Sequence, residues 1–199
     1  MADKMTQFIR QELSSSLDLV RKLSEDNALH RQIEAVVGLC TRALRAEKKI
    51  LFAGNGGSAA DAQHWAGELV SRFYFDRPGL PGIALTTDSS ILTAIGNDYG
   101  YDYVFARQVE ALGCEGDVFF AISTSGNSAN ILRAIHAAKE RGITVVGFTG
   151  AGGGNMLEHC DECFRMPSDS TPKIQEGHEL LGHMICALIE KDMFGHDRD

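Results

Sequence analysis

No cluster of lysine and arginine interleaves with aromatic residues anywhere in the 199 residues, and 19 basic side chains face 27 acidic ones for a formal charge of −8. That balance argues against nucleic acid or an anionic membrane surface as a direct partner. No apolar run approaches the roughly 20 residues that cross a bilayer. The amino-terminal Met1-Ala-Asp-Lys-Met-Thr-Gln7 lacks the basic, apolar and small-residue pattern of a secretory signal. A cytoplasmic protein with no membrane attachment is expected. The five cysteines (Cys40, Cys114, Cys160, Cys163, Cys186) are odd in number and scattered, which suits reduced thiols. Cys160-Asp-Glu-Cys163 has no second pair to complete a zinc site, and it precedes a strand instead of opening a helix, so it reads as unconnected thiols. Gly-Lys-Ser/Thr is missing, which leaves a nucleoside triphosphate loop unsupported. With no repeat, low-complexity tract or linker, residues 1–199 read as a single domain.

What is present alternates. Residues 4–24 carry Ile9, Leu13, Leu17 and Val20 on one helical face, and residues 28–47 carry Leu29, Ile33, Val36, Val37, Cys40 and Leu44. Ser24-Glu-Asp-Asn27 separates them, with residues suited to capping the second. This N-terminal pair, residues 1–47, has no obligatory place in a doubly wound sheet and is expected to contribute to oligomerisation. Residues 48–199 form the α/β core. Apolar runs at 49–53, 82–85, 117–122, 144–148 and 162–166 predict strands, and 89–97, 103–112, 127–141 and 174–194 predict helices. Such alternation with short connections predicts a parallel sheet covered on both faces. The run Gly150-Ala-Gly-Gly-Gly154 reads as a connector.

The chain is organised around Asn55-Gly-Gly-Ser58, which joins the first strand to an alanine-rich helix. Its glycines allow close approach, and the helix start offers unpaired N–H groups to an anion. On that helix Asp61, His64, Glu68 and Arg72 fall within roughly 80° of one another, opposite Ala62, Ala66, Leu69 and Phe73. His64 and Glu68 occupy adjacent turns and can share a metal or a substrate. A solvated helix face is the competing reading. A second loop, Ser123-Thr-Ser-Gly-Asn-Ser128, places hydroxyls before the next helix as a neutral cradle for phosphate; helix capping alone needs only one of them. In a parallel sheet both loops lie at strand carboxyl ends and can line one pocket.

Gly54-x-Gly56-x-x-Ala59 also fits the dinucleotide fingerprint, but no acidic residue ends the second strand and Asp88 lies too far along. The last helix supplies Gln175, His178, Glu179 and His183, and Gln175 and His183 stand about 80° apart on the wheel and about 12 Å apart along the axis. A surface histidine is the default reading for His178 and His183 alike.

Together, Asn55-Gly56-Gly57-Ser58, His64-x-x-x-Glu68, Asn97-Asp98, Ser123-Thr124-Ser125-Gly-Asn-Ser128 and Gln175-x-x-x-x-x-x-x-His183 closely resemble the phosphoheptose isomerases of the sugar isomerase (SIS) domain family, over nearly the whole chain. The resemblance implies a flavodoxin-like five-stranded parallel sheet sandwiched by helices, and a homotetramer with active sites between subunits. It implies conversion of sedoheptulose 7-phosphate to D-glycero-D-manno-heptose 7-phosphate for bacterial lipopolysaccharide and related surface polysaccharides. Substrate contacts are implied for Asn55, Gly56, Gly57, Ser58, Glu68, Asn97, Asp98, Ser123, Thr124, Ser125, Ser128 and Gln175. Glu68 and His183 are implied as the acid/base pair, and His64, Glu68, Gln175 and His183 as ligands of Zn2+; no NAD is needed. The final helix is expected to meet the His64/Glu68 helix at a subunit boundary. Pro172 stands where some members carry an aspartate, so that carboxylate's role does not transfer. The alternative is a non-catalytic relative, a sugar-phosphate sensor or the tetrameric adaptor of the replication initiator. That adaptor lacks equivalents of Glu68 and His183 and has arginine in place of Ser125. A third reading, a dinucleotide-dependent oxidoreductase, predicts a retained cofactor.

Overall fold

The computed structural model describes residues 2–195. Helices α1 (Ala2–Glu25) and α2 (Asn27–Arg45) precede the strands β1 (Ile50–Gly54), β2 (Gly82–Ala84), β3 (Val118–Ile122), β4 (Thr144–Thr149) and β5 (Glu162–Arg165). Helices α3 (Gly57–Val70), α4 (Ser89–Asp98), α5 (Ala106–Leu112) and α6 (Ala129–Glu140) lie between strands, and α7 (Thr171–Phe194) follows β5. All pairings are parallel, in the order β2-β1-β3-β4-β5.

Every residue of β1 and β3 is buried, because alternate side chains enter cores on opposite faces of the sheet. Ile50, Phe52, Phe120, Ile122, Val146 and Phe148 pack with α2, α3 and α7, while Leu51, Ala53, Phe119, Ala121 and Val145 pack with α5 and α6. The chain runs from β1 outward to β2, then returns to β3 on the other side of β1. This reversal opens a crevice at the carboxyl ends of β1 and β3, where ligands bind in such sheets. The Asn55 and Ser123 loops both start there. No described helix is long and apolar enough to cross a membrane.

The two N-terminal helices have different fates. Asp26 caps α2 by accepting from Ala28 N and Leu29 N at 2.9 and 3.0 Å, and the apolar face of α2 is buried against its own chain. Among the described residues of α1, only Leu19 and Leu23 join that core; Phe8, Ile9, Leu13, Leu17 and Val20 are exposed.

Several helix boundaries differ from the sequence pattern, among them the starts of α5, α6 and α7. The segment expected as one helix over 103–112 is a short 3-10 turn, Tyr101–Tyr103, followed by α5. Gly100, at φ 89°, sets up that separate turn. α6 begins at Ala129, because the preceding residues are committed to the loop. α7 begins three residues before Ile174, with Pro172 in its first turn, where a missing N–H costs nothing.

Candidate active site

The two loops are locked together by an amide pair. Asn55 Nδ2 donates to Asn130 Oδ1 at 2.9 Å, and Asn130 Nδ2 donates back to Asn55 Oδ1 at 2.8 Å. Asn130 belongs to the same stretch as the hydroxyl loop, but its own role was not legible in the sequence. It is buried, so the exchange fixes the mouth of the crevice. Ser123 Oγ and Ser128 Oγ share a bond of 2.9 Å, and Ser125 Oγ accepts from Asn127 N at 3.2 Å. The run Gly150–Gly154 is more than a connector. Gly126, at φ 66°, presses on it so closely that an added β-carbon would stand 2.0 Å from Gly153 O. Thr124 O also accepts from Gly150 N, and Gly126 O from Met156 N, each at 3.0 Å.

The helix ends at this crevice differ from those of α2 and α4. Asp26 and Asp88 cap α2 and α4 with their side chains. Neither α3 nor α6, whose N-termini open into the crevice, has a side-chain cap. Ser128 occupies the cap position of α6, yet its hydroxyl turns to Ser123 instead. Uncapped N–H groups at two converging helix ends suit an anion.

α3 and α7 run alongside each other and bring the ionisable groups together within one chain. Gln175 lies at the start: a β-carbon on Gly57 would stand 2.3 Å from its Nε2, so glycine there makes room for the amide. Two turns on, His64 Nε2 and His183 Nε2 are 2.8 Å apart. Glu68 Oε1 is 3.4 Å from His64 Nε2. Glu179 Oε1 is 3.2 Å from His64 Nε2 and 3.0 Å from His183 Nε2, and Glu179 Oε2 accepts the indole N–H of fully buried Trp65 at 2.9 Å. Among the described residues, His64, Glu179 and His183 are the group whose ligand atoms converge closely enough to hold a metal ion. The meeting of these helices therefore needs no subunit boundary, contrary to the sequence expectation.

Asp61 sits one turn before His64 with its Oδ2 buried and without a hydrogen-bond partner. Burial pushes its carboxyl up to about 6, the negative charge of Glu179 adds to the rise, and His64 opposes it. Arg72 lies beyond the end of α3 and leaves the helical face. Arg77 takes over that end: it donates to Glu68 O at 2.8 Å and Leu69 O at 2.6 Å. Its own partner is fully buried Glu190 at 3.1 Å. Glu190 also accepts from Phe73 N and Tyr74 N, and these bonds with Arg77 hold its carboxyl below the usual range although burial pushes the other way.

Asn97 and Asp98 bond to each other at 2.8 Å on the exposed end of α4, and among the described residues neither is hydrogen-bonded to the two loops. The chain just after them does reach the site, where the Tyr101 hydroxyl stands 3.5 Å from Asn55 Oδ1. Pattern reading gave no role to Tyr101, or to Glu179, which it noted only beside Gln175, His178 and His183 on the last helix. Glu179 lies four positions from His183, as His64 does from Glu68, and that symmetry was the available signal.

Comparison with known proteins agrees with this architecture. The sequence model of the SIS domain family matches residues 13–150. A phosphoheptose isomerase of Aneurinibacillus thermoaerophilus is 56% identical over 190 residues, 96% of either chain. Among solved structures, the phosphoheptose isomerase of Neisseria gonorrhoeae is 41% identical with a TM-score of 0.88, covering 94% of this chain and 99% of its own. That of Francisella tularensis is 36% identical with a TM-score of 0.85, covering 96% and 98%. At this identity and coverage, the chain belongs to the phosphoheptose isomerases of the SIS domain family.

Proposed function

We propose that this protein is an aldose–ketose isomerase that converts sedoheptulose 7-phosphate to D-glycero-D-manno-heptose 7-phosphate. The observation that carries the reading is the arrangement along α3, which starts in a neutral anion cradle and carries His64 and Glu68 further on. Rising 1.5 Å per residue, the helix puts His64 roughly 10 Å from Gly57. An extended seven-carbon sugar phosphate has a comparable span, so its phosphate sits at the loops when C1 and C2 lie at the carboxylate and imidazoles.

The reaction moves one proton between C1 and C2 through an enediol while the two oxygens exchange protons. Glu68 shuttles the carbon-bound proton and His183 serves the oxygens. Ser123, Thr124, Ser125 and Ser128, with Ser58 and the N–H groups of Gly56 and Gly57, receive the phosphate. Asn55, Asn97, Asp98 and Gln175 address the sugar. Zn2+ fits the donor atoms present, held by His64 and His183 with a carboxylate; when bound it polarises the substrate carbonyl. No nicotinamide takes part. The exposed apolar face of α1 supports assembly into a homotetramer, and the product serves surface polysaccharide synthesis from the cytoplasm.

A coupled assay with sedoheptulose 7-phosphate tests the reading, and formation of the aldose phosphate is expected. Binding of the sugar phosphate without turnover overturns it and leaves the adaptor or sensor alternative.

A further inference from the structure

We propose that Cys160 and Cys163 are a redox-active thiol pair, which a peroxide converts to an intrachain disulfide. This chemistry does not depend on the isomerase reading. As sequence the two read as unconnected thiols, but the fold brings their sulfurs to one point. Gly147 on β4 pairs with Cys163 on the edge strand β5, and a β-carbon there would stand 2.7 Å from Cys160 Sγ and 2.9 Å from Cys163 Sγ. Glycine thus leaves one space that both sulfurs share. The chain reaches it through a bend at Asp161, between the two cysteines. Asp161 N donates to Val145 O at 2.9 Å, its Oδ2 accepts from Val145 N at 2.8 Å, and its other oxygen is paired with Lys139. Gln32 of α2 holds the strand from outside, donating to Glu162 Oε2 at 2.9 Å. These contacts keep the sulfurs together before any oxidant arrives.

The two thiols are not equivalent. A hydrogen bond from the Cys160 thiol holds Cys163 below the usual thiol range, helped by the charge of Arg165, although burial pushes the other way. Cys160 is pushed up by the same bond, by burial and by the charges of Cys163 and Asp161. Cys163 is thus the nucleophile and Cys160 the resolving thiol. Both are half-buried and line an open groove with Asp26, Gln32 and Leu157, which admits a small peroxide. The Cys163 thiolate attacks one oxygen of hydrogen peroxide, the O–O bond breaks, and the departing hydroxide becomes water with the proton that Cys163 had released. Cys163 is then a sulfenic acid. The Cys160 sulfur attacks it, the S–S bond forms, the S–O bond breaks, and the hydroxide leaves as a second water with the Cys160 proton. The thiols lose two electrons and the peroxide gains them. Cys40 and Cys186, by contrast, are pushed up by deep burial, which keeps them inert.

The test treats the reduced full-length protein, freed of reductant, with an equivalent of hydrogen peroxide, then alkylates it and digests it with trypsin for mass spectrometry. Cleavage after Arg141 and Arg165 puts both cysteines, and no others, on the peptide 142–165. That peptide should lose two hydrogens and resist alkylation, and dithiothreitol should restore both thiols. In Cys160→Ser, dimedone should trap Cys163 as its sulfenic acid; in Cys163→Ser, Cys160 should react at least about tenfold more slowly than that. Circular dichroism checks that each variant folds. The same treatment of urea-unfolded wild type should form the disulfide several-fold more slowly, because the shared space and the lowered Cys163 belong to the fold. Two alkylated cysteines on the peptide after peroxide, a sulfinic acid there in place of the disulfide, or equal rates in folded and unfolded protein would each overturn the proposal. So would a Cys160 in folded Cys163→Ser that reacts as fast as Cys163 does alone.

Discussion

His178 and His183 lie five residues apart on α7, yet the helix turns them roughly 140° from each other, and that rotation gives them opposite chemistry. His178 faces the sheet with no exposure, its ring edge-on to Phe148 with centroids 5.8 Å apart. Its Nε2 lies 3.2 Å from Thr149 O, a bond in which the imidazole N–H donates. Burial pushes its pKa down to about 4, which keeps it neutral. His183 faces α3, remains 40% exposed by side chain, and meets His64 and Glu179. The helix face decides which histidine can exchange protons with a substrate, and residue type does not. The surface reading that the sequence suggested for both is wrong for His178.

The largest expected effect breaks this pair apart in kinetics. His183→Gln should fold and lose roughly 10² to 10⁴-fold in kcat. His178→Asn, which retains a donor for Thr149 O, should keep kcat within a few-fold when folded. Equal losses of kcat in the two variants would erase the contrast.

Stability against pH sharpens it from the other side. Between about 4 and 6.5 the unfolded chain binds a proton at this histidine that the folded chain does not, so stability rises with pH across that window. The contribution of His178 is fully present above pH 6.5 and is lost as pH falls to about 4, a change of about 3 kcal/mol. Urea unfolding of wild type should show this slope, and His178→Asn should flatten it; unchanged slopes would mean that His178 titrates normally.

The phosphate cradle should respond more weakly, and in binding. Removing a hydroxyl with Ser123→Ala, Thr124→Ala or Ser125→Ala should cost about 1 kcal/mol, near fivefold in KM. Steady-state kinetics in which all three variants match wild type would remove the cradle from the account. The smallest change in folding stability is expected on α1, where Leu13→Glu and Leu17→Glu replace exposed side chains and should alter it by less than about 0.5 kcal/mol. Sedimentation should nonetheless show dissociation, and an unchanged assembly would move the subunit contact elsewhere.

The strands were legible because both faces of the sheet are covered, which makes β1 and β3 continuous apolar runs. Periodicity also located α2 and α7. It gave no help in separating α1 from α2, since an apolar stripe looks alike whether it meets its own sheet or is left exposed. The two loops were legible from glycine and hydroxyl composition. The Asn55–Asn130 exchange was not, because it spans a separation of 75 residues. The structural use of Gly150–Gly154 was hidden for the same reason. The role of Glu179 was missed because wheel geometry on one helix says nothing about which partner helix lies opposite, and only the packing of α7 on α3 brings its carboxylate to two imidazoles.

The central claim is that the carboxylate of Glu68 moves the carbon-bound proton. Its most direct test is turnover of sedoheptulose 7-phosphate by Glu68→Gln, with substrate affinity measured on the same sample. A folded variant that binds the sugar phosphate with near wild-type affinity and loses roughly 10²-fold or more in kcat is the predicted result. A variant with near wild-type turnover would contradict it.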